Sequence, residues 1–155
     1  MKNIVCLTML AIITPASADD KISYPETYRQ WSHVKTLTLH KGHALANPFE
    51  GIHHVYANSK AVQGLKLGTY PDGAKIAFDL LESNTANHAS AEGERILLGL
   101  MVKDRKRYAT TGGWGFEAWQ QNSRTKRLTS DSGTSCYTCH TSQKDSDYVF
   151  SQWRK

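Results

Sequence analysis

At 155 residues and 39% hydrophobic content the chain is long enough for one domain with a single buried core and too short for two. Its formal net charge of +5 is mild, and its lysines and arginines are scattered. The one dense run, Lys103 to Tyr108 ("KDRKRY"), reads as a solvated loop rather than a nucleic-acid patch, and no internal repeat or low-complexity segment is present.

The first eighteen residues have the layout of a secretory leader: Lys2, an apolar stretch from Ile4 to Ile13, and Ala16-Ser17-Ala18 ahead of Asp19. The stretch falls short of the about 20 residues that span a bilayer. Cleavage after Ala18 predicts a periplasmic protein with one domain over residues 19–155, no membrane span and a formal charge lowered from +5 to +4 by loss of Lys2. It also removes Cys6, leaving Cys136 and Cys139 as the remaining thiols and ruling out a disulfide framework.

Next, Ser23 and Pro25 in "SYPETYRQW" predict a short helix that ends near Trp31. Strands follow over Val34 to Leu39 and Ile52 to Ala57, both rich in β-branched or apolar residues. Between them "HKGH", His40 to His43, reads as a loop. Asn58 or Ser59 then caps a helix in which Ala61, Val62 and Leu65 share one face. Pro71-Asp72-Gly73 turns the chain into a strand from Lys75 to Glu82, and a polar loop is expected over Ser83 to Gly93. The apolar run in "ERILLGLMVKD" predicts a central strand, and "WGFEAW" predicts a last one after the Gly112-Gly113 turn. The fold class expected from this order is α+β, a mainly antiparallel β-sheet with short helices and a C-terminal haem-attachment segment.

That segment is "SGTSCYTCHTSQ", which contains Cys136-Tyr137-Thr138-Cys139-His140. C-x-x-C-H is the attachment signature of c-type haem. Its two thiols add across the porphyrin vinyl groups, and the short spacer sets the following imidazole under the iron. One covalently attached haem c is therefore expected on Cys136 and Cys139, with His140 as the proximal iron ligand. A structural zinc site needs four ligands, and no second C-x-x-C supplies them. A thioredoxin-like pair calls for a βαβ setting that this segment lacks. Export fits the cofactor, because c-type haem is attached outside the bacterial cytoplasm.

The sixth coordination position decides the kind of haem protein. An electron carrier closes it with Met or a second His. Met101, the one methionine beyond the leader, lies in an apolar run and reads as core. None of His33, His40, His43, His53, His54 and His88 carries a ligand signature of its own. His53 and His54, adjacent in a strand, point to opposite faces, so at most one of them looks toward a haem.

The stretches "GIHHVYANSKA", "GTYPDGAKIAFDLLE", "GLMVKDRKRYATTGGWGFEAW" and "CYTCHTSQKDSDYVFS" together resemble the cytochrome P-460 and cytochrome c'-beta family from about Tyr28 to Phe150. The resemblance implies a homodimeric, mainly antiparallel β fold with one haem, His-ligated on one side and open to small nitrogen species on the other. Members like cytochrome P-460 oxidise hydroxylamine with a haem cross-linked to a strand lysine. Members like cytochrome c'-beta lack the cross-link and cover the distal face with phenylalanines. The cross-linking position matches Phe78, and Lys75, three residues away, faces the other side of the strand. Phe49 matches the second distal aromatic. This chain therefore looks closer to cytochrome c'-beta, with Phe49 and Phe78 as haem contacts, nitric oxide or carbon monoxide as gaseous ligand, a redox partner protein and no assigned catalytic residue. The alternatives are a hydroxylamine-oxidising or nitric-oxide-converting enzyme and a six-coordinate electron carrier. Asp79, Asp104 and Glu117 are the acidic candidates for the rim; Asp104 matches a carboxylate position of the enzyme branch but reads as solvated.

Overall fold

The computed structural model describes residues 21–154; the predicted leader, with Cys6 and the cleavage site, lies outside the described residues. Five strands form one antiparallel sheet in the order β1-β2-β3-β4-β5: β1 (Ser32–Leu39), β2 (Gly51–Ala57), β3 (Lys75–Ala86), β4 (Ala89–Lys103) and β5 (Trp114–Gln120). Each strand pairs with its sequence neighbour, the arrangement that short connections favour. The short helices are α1 (Ala46–Phe49), a distorted turn, α2 (Ser59–Leu67) and α3 (Thr134–His140). The architecture is the expected α+β class.

Cross-strand partners share a face, so the register sorts the side chains. One row runs Val55, Phe78, Gly99, Ala118, and the next runs Ala57, Ile76, Met101, Phe116. Over the second row lie α2 and the C-terminal segment, giving a core of Val34, Ala57, Ala61, Leu65, Tyr70, Ile76, Met101, Trp114, Phe116 and Val149. The reverse face carries Ala77, Leu98, Leu100 and Trp119, covered by Tyr28 and the N-terminal residues Ile22, Tyr24 and Trp31. Burying both faces explains why β5 reads as a nearly unbroken run of buried residues instead of an alternating one.

Asn58 begins α2 as the cap residue predicted from its type. Its Oδ1 accepts from Ala61 N at 2.9 Å and from Lys75 N at 3.0 Å, while its Nδ2 donates to Gly73 O at 3.0 Å. One side chain thus ties the helix start to the entry of β3. Gly68, with φ +78°, ends the helix in the left-handed conformation that favours glycine.

Three expectations differ from the structure. The loop expected at Ser83 to Gly93 is instead a ribbon in which β3 and β4 continue to pair out to Ala86 and Ala89. Asn87 and His88, at φ 50° and 61°, form its two-residue turn, and Thr85 and Ser90 hydroxyls meet at 2.8 Å. The ribbon is polar on both sides and mostly exposed, so no hydrophobic alternation announces it. The helix expected from Ser23 to Trp31 shrinks to one 3-10 turn, Tyr28–Gln30, because Tyr28 is drawn into the reverse-face core. Finally, "KDRKRY" is not uniformly solvated: Lys103, its first residue, is the last of β4 and is 3% exposed.

Candidate functional site

The Cys-Cys-His set is carried by α3, a helix absent from the sequence reading. Asp131 organises its start: Oδ1 accepts from Gly133 N at 3.0 Å and Oδ2 from Ser135 N at 2.8 Å. These backbone donors, the Ser135 one foremost, hold the Asp131 carboxyl below its ordinary pKa of 3.8. Gly133 has φ +84°, and a Cβ there would collide with the backbone and Cβ of Phe116. Only glycine lets α3 approach β5 so closely.

Cys136 is half-buried against the core, and Cys139 is exposed; both thiols are free. Burial chiefly pushes the Cys136 thiol up, so it is held protonated. His140 Nδ1 donates to the carbonyl of Tyr148 at 2.7 Å. That bond fixes the tautomer and leaves the Nε2 lone pair uncommitted. The imidazole lies between Phe116 and Phe150, each with its ring centroid 5.0 Å away. Burial lowers the His140 pKa below 6.5, which keeps the ring neutral, the form that ligates a metal.

Phe78 lies on the same sheet face as this segment and, like Cys136, Tyr137 and Tyr148, packs against the core cluster around Ile76, Met101 and Phe116. Phe49, from α1, meets it edge to face at 5.9 Å. The structure therefore brings Phe49 and Phe78 together. Beside Phe78 in its row stand Gly99 and Ala118, all three half-buried. The nearest atoms a Cβ on Gly99 would meet belong to Phe78, Cδ1 at 3.5 Å first, an ordinary van der Waals contact. Small residues next to an aromatic ring make this row a low, apolar shelf on the sheet face that also carries α3.

This arrangement fits a haem. Two free thiols one helical turn apart, an imidazole with one nitrogen tied back and the other free, and an apolar shelf match what a flat porphyrin with an axial iron ligand requires.

Of the adjacent histidines, His53 takes the Phe78 side and His54 the reverse. His53 is 3% exposed, packs edge to face on Phe78 at 4.8 Å and donates from Nε2 to Phe49 O at 2.5 Å. Burial chiefly lowers its pKa, so it is neutral. His54 instead approaches Thr36 Oγ1 at 2.9 Å and Glu92 at 2.7 Å. Met101 is buried in the core beside Ile76 and Phe116 in the register, the place expected for it. The acidic residues are remote from the shelf or engaged elsewhere. Asp79 and Glu117 lie on the reverse face, Asp79 with Tyr28 and Arg95, Glu117 with Arg127 and Thr129. Asp104 accepts from Arg107 N at 3.0 Å within the turn after β4. Lys75 is exposed and, as strand alternation requires, opposite in direction to Phe78.

Sequence reasoning missed Phe116, Phe150, Tyr148 and the placement of His53. Phe116 was visible as a strand residue, but only the three-dimensional course of the last twenty residues brings it to His140.

A helix-borne Cys-Cys-His set beside an apolar shelf on an antiparallel sheet defines a c-type cytochrome that departs from the all-helical design. Residues 25–151 match the family model described as cytochrome P-460, and the chain belongs to that family. It is accordingly a haem c cytochrome. No curated protein matches the chain.

Proposed function

We propose that this chain is an exported single-haem cytochrome that binds nitric oxide in an apolar distal pocket, in a scavenging, storage or sensing role. Cys136 and Cys139 would hold the haem by thioethers, His140 Nε2 would ligate its iron, and Phe49 and Phe78 would supply the apolar cap. When bound, the haem supplies an iron that takes a diatomic ligand. The observation that carries this reading is the Phe49 ring against Phe78 at 5.9 Å, Phe78 being the residue that the resemblance matches to the cross-linking lysine of the enzyme branch. Two aromatic rings offer no hydrogen-bond donor. Bound dioxygen, which needs charge stabilisation, gains little there, whereas nitric oxide binds ferrous haem without such help.

The runner-up, hydroxylamine oxidation, needs a positioned proton acceptor. Asp79 and Glu117 are on the far face of the sheet, and burial lowers the pKa of His53, which makes it a weak proton acceptor. A six-coordinate carrier loses support from the burial of Met101 in the core.

The test is the ferrous holoprotein. It should be five-coordinate, bind nitric oxide and carbon monoxide, and resist dioxygen. Its haem should survive acid-acetone extraction and be released when both Cys136 and Cys139 are replaced by Ala. Hydroxylamine turnover well above free haem, or a low-spin ferrous spectrum, would overturn the reading.

A further inference from the structure

The carbonyl that receives the His140 proton is displayed by an unusual piece of backbone. Asp147 and Tyr148 are both left-handed, at φ 50° and 65°. Among the described residues the only other consecutive non-glycine pair of this kind is the hairpin turn Asn87-His88. A bulky aromatic residue rarely adopts this conformation, and a pair of them persists only where the surroundings impose it.

The surroundings here are specific. Lys103, at the end of β4, is 3% exposed, and its Nζ donates to Asp147 Oδ1 at 2.6 Å and to Gly112 O at 3.0 Å. Its ammonium also lies 4.9 Å from the centroid of the Trp114 ring. Asp147 Oδ2 accepts from Tyr70 N at 3.1 Å, and its carbonyl accepts from Trp114 Nε1 at 2.8 Å. Residue 147 is therefore gripped at both carboxylate oxygens and at its backbone. Tyr148 follows with its N–H on Gln143 O at 2.8 Å and its ring over Gly112, where a Cβ would collide with it. Three elements far apart in sequence converge on one turn, and that turn presents the Tyr148 carbonyl to His140.

We propose that the buried Lys103–Asp147 pair positions the proximal ligand: it imposes the left-handed turn that presents Tyr148 O to His140 Nδ1, and so sets the basicity of the imidazole and its hold on the iron. The proposal rests on His140 as the axial ligand and is independent of which nitrogen species binds opposite. A firm Nδ1–H···O bond raises electron density on the ring, strengthens the iron–nitrogen bond and favours ferric over ferrous iron. Lys103 and Asp147 touch neither iron nor ligand; they act through the carbonyl.

The test uses resonance Raman of the ferrous holoprotein, with its reduction potential as second readout. Asp147→Ala and Lys103→Met should each lower the iron–histidine stretching frequency and make the potential more positive, and the double variant should go no further than the larger single effect. Asp147→Asn keeps an acceptor for Tyr70 N and tolerance of the left-handed region, so its shift should be smaller than that of Asp147→Ala. Asp145→Asn, an exposed neighbour outside the grip, should leave both readouts in place. An unmoved band in a haem-loaded Asp147→Ala protein overturns the proposal. If that variant does not fold, unmoved bands in both Asp147→Asn and Lys103→Met overturn it equally. A parent protein with no iron–histidine band overturns the ligand reading itself, which the variants alone do not.

Discussion

Phe78 and His53 are the two side chains whose replacement separates a lid from ordinary packing. Removing the Phe78 ring opens the shelf beside Gly99, so Phe78→Ala should speed nitric oxide and carbon monoxide entry by stopped-flow; rates identical to the parent's would refute the cap. Because the ring is half-buried, its loss should cost less than the about 3–5 kcal/mol of a fully buried phenylalanine. His53 adds a pH dependence. Its pKa in the folded chain lies below 6.5 through burial, with His43, His54 and Lys35 adding repulsion against the bond to Phe49 O. A depressed pKa means that the unfolded chain takes up the proton first. The contribution is complete above pH 6.5 and is lost as pH falls toward the folded value. Urea midpoints measured from about pH 7.5 down to about pH 5 should therefore fall less steeply in His53→Gln, whose amide still offers a donor to Phe49. Parallel curves would show that His53 does not titrate in this window.

At the level of elements, what the sequence discloses follows from how each element is stabilised. β1, β2, the core halves of β3 and β4, and β5 declare themselves because burial on one or both faces fixes their residue types. The C-x-x-C-H string marks the site outright, and Asn58 marks its helix by cap chemistry. The outer ribbon and α3 do not, since one is held by backbone pairing and a few polar side-chain contacts and the other by Asp131 and the fit of Gly133 on β5. Lys103 deceived for the opposite reason: a charge in a basic run looks solvated unless its partner, 44 residues away, is known. The cap gives the element-scale prediction. Asn58→Ala removes an acceptor from both Ala61 N and Lys75 N and should cost about 1 kcal/mol for the helix cap, with more for the strand entry. An unchanged denaturation midpoint would mean that water replaces both bonds without loss. The ribbon should behave oppositely: amides from Ser83 to Ala91 should exchange much faster than those of β3 and β4 in the core, because a two-stranded pair is marginal by itself.

For the whole molecule, the sheet works as a partition, and two neighbouring residues test it. Phe78 looks toward the proposed haem shelf; Asp79, the next residue, looks to the reverse face. There Asp79 is fully buried, accepting from Tyr28 Oη at 2.5 Å, from Arg95 Nε at 2.6 Å and from the more exposed Arg29 at 3.0 Å. Burial alone would push its carboxyl up, but the hydrogen bonds from Arg95, Tyr28 and Arg29 prevail and hold it below 3.8. The same carboxylate, with burial as the larger cause, pushes the Tyr28 hydroxyl up to about 12. Asp79→Ala leaves Arg95 and Tyr28 buried without their acceptor and should cost about 3–5 kcal/mol. Its contribution is fully present above pH 3.8 and is lost as pH falls through the folded value, so the parent's advantage over Asp79→Ala should vanish in strong acid. Gas-binding rates of folded, haem-loaded Asp79→Ala should nevertheless equal those of the parent, because Asp79 reaches none of Phe49, Phe78, His53 or His140. Phe78→Ala should show the complementary result, altered rates with the smaller loss of stability. Altered rates in Asp79→Ala at full haem loading would mean that the two faces are coupled through β3 and that the partition does not hold.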